Sequence, residues 1–480
     1  MKQSKIILAV AFILMGNFFC TIYSQEQWTL EKCINYALEN NIQVKQQELD
    51  TKYRQNLLLQ SKLDLLPSVN GNFDNSYTAG RALDQTTYQF SDNQTIFTSN
   101  LSANASLTVY NGFQKLNTIQ ENRFNMMASL KDLEKLKNDV SLNIAAAYLQ
   151  IILNTELLDA TQNQHGVTLQ QVTRTEKLVQ AGSLPRANFL EIQAQAASEE
   201  VQIANAQNQL DLSYLTLVQF LELDSIKGFE IVIPEIEIPE EDETVADIGG
   251  IFELSQGILP QIKSAEYRLS SAQKSLQVAK GGHSPRVSVT GTYYTGYSDA
   301  RQQVASYGIP LPLENAGVTS GGESVTLFQP NPIMEPYPFW NQYSDNASTG
   351  ISLNISIPIF NGWIVNSTVS NARISVLNSQ YNLENSKKIL YKEIQQAYAD
   401  AKAAFKNYKA SEKALLAMEE SFNYTKQRYE VGLINTVDYN IAQNRLSTTK
   451  SDLLRSKYEY IFKTKILDFY QGKPITLTTN

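Results

Sequence analysis

The side chains of this chain that could do chemistry are few, and they stand apart from one another. His165 and His283 are its only histidines, each without a second ligand or base at metal or catalytic spacing. Ser271-Ala272-Gln273-Lys274 has the Ser-x-x-Lys spacing of an acylated serine and its lysine, but the partner motifs of such sites are missing. Gln471-Gly472-Lys473-Pro474 lacks the further glycines with which a backbone cradles phosphate. Cys33 reads as a small apolar residue on a helix face. Acid–base and nucleophilic catalysis need such groups within mutual reach, so the inventory points to no enzyme, no cofactor and no metal. Asp438 is better placed, three residues after Asn435 at the start of a long helical stretch. There a carboxylate can meet the positive end of the helix.

The elements that carry these residues are written twice. Tyr110, Asn111, Gly112 and Phe113 return 250 residues later as Phe360, Asn361, Gly362 and Trp363. The same displacement takes Ala147-Tyr148 to Ala397-Tyr398 and Ala181-Gly182 to Val431-Gly432. Upstream, Leu66-Pro67-Ser68-Val69 matches Ser284-Pro285-Arg286-Val287 at a displacement of 218, and the difference of 32 is extra loop in the second half. The expected layout is a leader over 1–24, a first repeat over 25–230, an acidic connector over 231–247 and a second repeat over 248–480.

Lys2 and Lys5, an apolar run from Ile6 to Phe19 and small Ser24 read as a secretory signal. A lipid attached at Cys20 is the minor alternative, because bulky Phe18 and Phe19 precede it. Loss of the leader leaves 38 basic against 48 acidic residues, a charge of about −10, a poor surface for nucleic acid. It also leaves Cys33 as the sole cysteine, so no intramolecular disulfide can form. No other long apolar run is present; a membrane crossing would have to be made without transmembrane helices.

Four stretches alternate with period two and are predicted as strands, at about 68–78, 100–110, 286–297 and 349–359. Val69, Gly71, Phe73 and Tyr77 fall on one face of the first; Ile351, Leu353, Ile355, Ile357 and Ile359 fall on one face of the last. A soluble sheet on a core would also alternate. Strands of about ten residues followed by aromatics, Tyr110 and Phe113, then Phe360 and Trp363, in an exported chain, point instead to lipid on one face and water on the other. Four strands cannot close, and unpaired backbone in hydrocarbon costs several kcal/mol per group, so other copies must complete them. Counting alone does not choose between two copies and three. The loops, Gly80 to about Asn100 and Ser298 to about Asn346, are polar and rich in Gly, Pro, Asn and Ser, and their first residue pairs carry no assignable structure.

Long helical hairpins are expected over 113–221 and 363–470, reversing at Ala181-Gly182-Ser183-Leu184-Pro185 and Val431-Gly432-Leu433-Ile434-Asn435. Small residues at Ala145 to Ala147 and at Ala397, Ala401 and Ala404 permit close, coiled-coil packing.

In this order the motifs resemble the outer-membrane efflux protein family, the TolC-like channels. They are Trp28-Thr29-Leu30, the run Ala37 to Asn41, Pro358-Ile359-Phe360-Asn361-Gly362 and the paired turns at Gly182 and Gly432. The resemblance implies a mixed fold of membrane β and α. Four strands per chain would make a twelve-stranded outer-membrane barrel as a homotrimer, continued by an α-helical barrel across the periplasm. It also implies docking of the tips, Gly182, Ser183, Leu184, Val431, Gly432 and Leu433, on a periplasmic adaptor and an inner-membrane transporter of RND or ABC type. The family's periplasmic mouth carries a Val-Asp-x-x-Asp-Ala pattern; here Asp438 keeps the first carboxylate and Ile441 replaces the second. Tyr429 matches the family's gate tyrosine, while Ile434 stands in place of its arginine and Asn188 in place of its aspartate. The competing readings are a periplasmic adaptor and a secreted coiled-coil rod without a pore.

Overall fold

The computed structural model describes residues 27–81, 90, 93–226, 228–234, 247–313 and 317–476. The expected leader, with Cys20 and Ser24, and the acidic run at 240–243 lie outside the described residues. The chain runs β1 (Gln27–Trp28), α1 (Leu30–Asn40), α2 (Ile42–Leu63), β2 (Ser68–Gly80), β3 (Gln94–Tyr110), α3 (Gln114–Gln180), α4 (Arg186–Phe220) and β4 (Glu230–Ile231). The second repeat follows with α5 (Ile248–Ile258), α6 (Pro260–Gly281), β5 (Arg286–Ser298), β6 (Gln302–Tyr307), β7 (Leu311–Leu313), β8 (Leu327–Gln329) and β9 (Pro332–Pro336). It closes with α7 (Phe339–Asp345), β10 (Ser348–Ser356), α8 (Ile364–Glu430) and α9 (Thr436–Tyr470). Two compact units result. One takes in Met1–Arg54, Asn125–Leu269 and Ser379–Asn480, the other Gln55–Phe124 and Ser270–Asn378.

The second unit is built on one antiparallel sheet, in the order β10-β5-β3-β2. Its pairing gathers the apolar residues on one face: Val69 stands opposite Ala105, Phe73 opposite Leu101, and both Leu107 and Leu353 opposite Val289. The other face sets Asn70 opposite Asn104, and both Ser106 and Ser352 opposite Thr290. A soluble sheet would cover its apolar face, yet Ile351 is 88% exposed and Val69 70%. The polar face of β2 is exposed as well, and among the described residues β2 and β10 each have one neighbour, so both edges are open there.

Two strand ends differ from expectation. β3 begins at Gln94 rather than near Asn100, because Thr95 to Thr98 pair with Ser76 to Ala79. Thr, Ile and Phe fit a pleated surface even where apolar alternation fades. β10 stops at Ser356, two residues before Pro358, which has no N–H to give the ladder. Near the other end of β3 a bulge between Thr108 and Tyr110 places Tyr110 opposite Val287, on the apolar face. The long second loop carries short elements of its own: β6 pairs with β9, β7 with β8, and α7 packs on β5.

The first unit holds most of each hairpin, the first turns of α3 and α8 belonging to the second. α3 and α8 each have 67 residues, α4 and α9 each 35, and all four pairs of bounds are 250 apart. Each long helix ends on a glycine in the left-handed region, Gly182 at φ 72° and Gly432 at φ 78°. The reversal lets Ser183 N–H reach the Leu178 carbonyl (2.9 Å) and Leu433 N–H the Arg428 carbonyl (2.8 Å), satisfying orphan acceptors. The main core joins Cys33 and Ala37 of α1 to Ile144, Ile151 and Ile152 of α3 and Leu217 of α4. Each fully buried Ile or Leu contributes about 1.5–3 kcal/mol. A smaller core holds Ile262, Leu390 and Ile394.

The stretch from Phe229 to Asp247, read from sequence as an exposed connector, starts instead inside this core. Phe229 is buried with its ring 5.1 Å from that of Trp28, β4 pairs in parallel with β1, and Val232 N–H bonds the Trp28 carbonyl (3.0 Å). A two-residue strand is too short to show a period, so only composition spoke, and it was dominated by the acids that follow.

Candidate functional site at the hairpin tips and strand ends

Sequence and local folding put two kinds of surface on the tips. At the second turn Val431 and Leu433 flank Gly432 and are 71% and 69% exposed, an apolar pair that the hairpin itself leaves bare. At the first turn Gly182 and Ser183 are exposed and Leu184 is half-buried.

Behind the turns, the residues expected at a mouth take defined places. Asp438 is exposed, and its backbone N–H bonds Asn435 Oδ1 (2.8 Å), the N-cap of α9. Its carboxylate lies in the first turn, where the helix dipole favours it. Tyr429 is half-buried and stacks on Tyr439 with centroids 4.5 Å apart. Tyr439 is fully buried; burial pushes its hydroxyl up, neighbouring Tyr429 adds to this, and a hydrogen bond with Gln171 opposes it.

The two hairpins are tied to each other here by uncharged groups. Asn188 Nδ2 donates to Thr436 Oγ1 (3.0 Å), and Gln443 Nε2 donates to Thr168 Oγ1 (2.9 Å). Gln195 and Asn444 exchange bonds of 2.8 and 3.3 Å. Arg174 and Glu430 also approach to 3.9 Å, but both are about half exposed, and such a pair is worth about 0–1 kcal/mol. Sequence reading missed these ties. The signal was present: Asn188 and Thr436 are 248 apart and Gln195 and Asn444 249, so near-equivalent residues of the two repeats face each other.

At the same level, six buried side-chain atoms have no hydrogen-bond partner: Gln164 Nε2, His165 Nδ1, Gln171 Oε1, Glu199 Oε2, Asn440 Oδ1 and Gln443 Oε1. No other such atom occurs among the described residues. Two of them, His165 Nδ1 and Glu199 Oε2, lie 3.7 Å from each other.

The scattered chemical candidates take structural places. His165 lies 3.7 Å from Glu199 and 3.9 Å from Glu200. The His283 N–H closes a turn on the Lys280 carbonyl. Ser271 bonds the Glu121 carbonyl (3.4 Å), and Lys473 bonds Asp468 (2.9 Å). Cys33 is buried, which pushes its thiol up to about 12.

At the strand ends, the duplicated turns are strained alike. Gly112 and Phe113 have φ of 66° and 60°, Gly362 and Trp363 of 63° and 69°. A left-handed aromatic costs roughly 1–2 kcal/mol, and both repeats keep one. The conformation leaves Phe113, Phe360 and Trp363 at least 60% exposed, with Tyr110 edge-on to Phe113 at 5.5 Å.

The sequence profile of the family described as Outer membrane efflux protein matches residues 33–221 and 258–467, one stretch in each repeat. Outer membrane protein TolC of Escherichia coli (strain K12) is 20% identical over 322 residues, which are 67% of this chain but only 58% of that protein. The Proteases secretion protein PrtF of Dickeya chrysanthemi is 20% identical over 469 residues, covering 96% of this chain and 90% of PrtF. In fold, the chain is similar to the outer membrane protein VceC of Vibrio cholerae, with a TM-score of 0.74 at 14% identity and coverage of 93% and 97%.

Proposed function

The chain belongs to the outer membrane efflux protein family, and from that premise we propose that three copies form the outer-membrane exit duct of a tripartite efflux or type I secretion system. The sheet carries this reading. Among the described residues it has one apolar face that is bare over its outer strands, with Ile351 88% and Val69 70% exposed, one polar face, and two open edges. In hydrocarbon such edges must be paired, and four strands are too few to close. Three copies give twelve, enough for a lumen. A periplasmic adaptor or a secreted rod has no use for such a sheet.

The duct is passive. Energy comes from an inner-membrane transporter of RND or ABC type, reached through a periplasmic adaptor that docks on Gly182, Ser183, Leu184, Val431, Gly432 and Leu433. The bare Val431 and Leu433 side chains support an apolar contact there. Tyr429 and Asp438 stand at the periplasmic mouth, and the neutral ties around Asn188 hold it closed. Tyr110, Phe113, Phe360 and Trp363 form the inner aromatic girdle.

The duplication also sets how copies meet. Within the chain β3 pairs with β5, Asn104 opposite Thr292. Moving the first by 250 and the second back by 218 puts Asn354 of one copy opposite Asp74 of the next. In the full-length protein, Asn354→Cys with Asp74→Cys should oxidise to covalent trimers in outer-membrane fractions, while Asn354→Cys with Asn72→Cys couples poorly. A soluble monomer that forms no crosslink would remove the duct.

A further inference from the structure

We infer that α7 and the rings around it form the outer-leaflet anchor of the barrel, a surface that binds the headgroup-to-acyl boundary of a lipid bilayer. This rests on the barrel reading above and adds a second, opposite boundary to it.

The helix is fastened to the sheet by side chains. Ser99 Oγ and Tyr343 Oη lie 2.8 Å apart, Thr295 Oγ1 donates to the Tyr343 carbonyl (2.5 Å), and Gln342 bonds both the carbonyl (2.9 Å) and the N–H (3.0 Å) of Ser298. Asn346 Nδ2 donates to the Gly296 carbonyl (2.6 Å). Ser99, Thr295 and Gln342 become fully buried.

The face is decided by register. Thr295 stands opposite Leu101, and Ser99 opposite Tyr297, so both belong to the apolar face. A lumen plug would sit on the other face. Nor is this an intercopy contact, because α7 lies on the inner strands β3 and β5, whereas copies meet at β2 and β10.

Around the helix the rings form a chain across the sheet: Tyr77 to Phe97 (4.8 Å), Phe97 to Tyr297 (6.1 Å), Tyr297 to Phe339 (4.8 Å) and Phe339 to Tyr343 (4.6 Å). Trp340 projects from it 77% exposed, a cost in water that a bilayer interface removes.

The spacing agrees. From Phe97 to Tyr110 is 13 steps along β3, about 43 Å at about 3.3 Å per residue, or about 33 Å across the membrane at a tilt near 40°. The hydrocarbon layer is about 30 Å thick. The two aromatic levels therefore bracket one bilayer.

The test uses tryptophan as its own probe. Trp28, Trp340 and Trp363 are the only tryptophans, so Trp28→Phe with Trp363→Phe leaves Trp340 alone, and Trp28→Phe with Trp340→Phe leaves Trp363. Each trimer is reconstituted in phosphatidylcholine vesicles whose acyl chains carry bromine near the glycerol or near the chain middle. Trp340 emission should be blue-shifted, and quenched more by the shallow bromines than by the deep ones. Iodide-quenched, bromine-insensitive Trp340 beside a lipid-quenched Trp363 overturns the anchor alone, as does a Trp340 shielded from both quenchers. If neither tryptophan senses bromine, the barrel reading fails with it. Should Trp28→Phe impair folding, an environment-sensitive dye on Trp340→Cys, with buried Cys33 left in place, gives the same readout.

Discussion

At the scale of single residues, the two hairpins are tied to each other near their turns mainly by neutral hydrogen bonds. Asn188 bonds Thr436, and removing a bond of this kind costs about 0.5–1.5 kcal/mol, so under the proposed duct Asn188→Ala should favour an open periplasmic end up to roughly tenfold. Single-channel recordings in planar bilayers should show longer open times, with an increment nearly independent of salt. Arg174→Ala should change little. Cys33 makes a second prediction. With its thiol raised to about 12 by burial, a disulfide reagent at mildly alkaline pH should label the native protein far more slowly than the denatured one.

Glu121 supplies a prediction in pH. Burial raises its carboxyl pKa, and a hydrogen bond with Ser275 opposes the rise only in part. A raised folded pKa favours the protonated form, so its stabilising contribution is full below the unfolded value and is lost as pH rises through the folded one. Glu121→Gln should therefore raise the thermal midpoint at neutral pH and leave it unchanged under acid conditions. Little of this was legible in the sequence. Asp438 and Asn435 could be read as a helix start from their spacing, but the Asn188 and Gln195 ties depend on which helices lie side by side. The buried tyrosine stack could not be told from any other aromatic pair.

At the scale of elements, the duplicated turns offer a controlled comparison. Gly112 and Gly362 share one conformation, yet a Cβ on Gly112 would lie 2.5 Å from the Gly281 carbonyl oxygen and 2.6 Å from Ser284 Cβ, whereas Gly362 has nothing within 4 Å. Alanine at either position costs roughly 1–2 kcal/mol in backbone strain. Gly112→Ala adds a backbone clash and should lower the denaturant midpoint of the isolated chain by clearly more. Gly362→Ala should show its larger effect on trimer assembly: by the repeat displacement of 218, its counterpart neighbours are Leu63 and Leu66 of an adjacent copy. Elements were legible where a period persisted. Strands and hairpins followed from alternation and from Gly-ended helices, while β4, β6 to β9 and α7 were too short for any period to declare itself.

At the scale of the whole molecule, the functional reading came from what the sheet lacks. Among the described residues, only α7 covers part of its apolar face, and no strand closes its edges. Removing three or more aromatic side chains from one level, as in Phe339→Ala, Trp340→Ala and Tyr343→Ala together, should leave the helical unit's circular dichroism intact but weaken heat resistance of the membrane-embedded trimer on gels. The subunit number was not legible from counting, since eight strands also close; the proposed trimer rests on the family resemblance.

The matched helices have one further consequence. One residue inserted into α8 but not α3 would push its far end on by about 1.5 Å and turn it by about 100°, carrying every seam side chain past its mate. Surface chemistry can drift between the two repeats, but length cannot; the pair works as a ruler read against its own copy. Deletions or insertions should then survive selection only as matched pairs, or in steps of about seven residues that restore the phase.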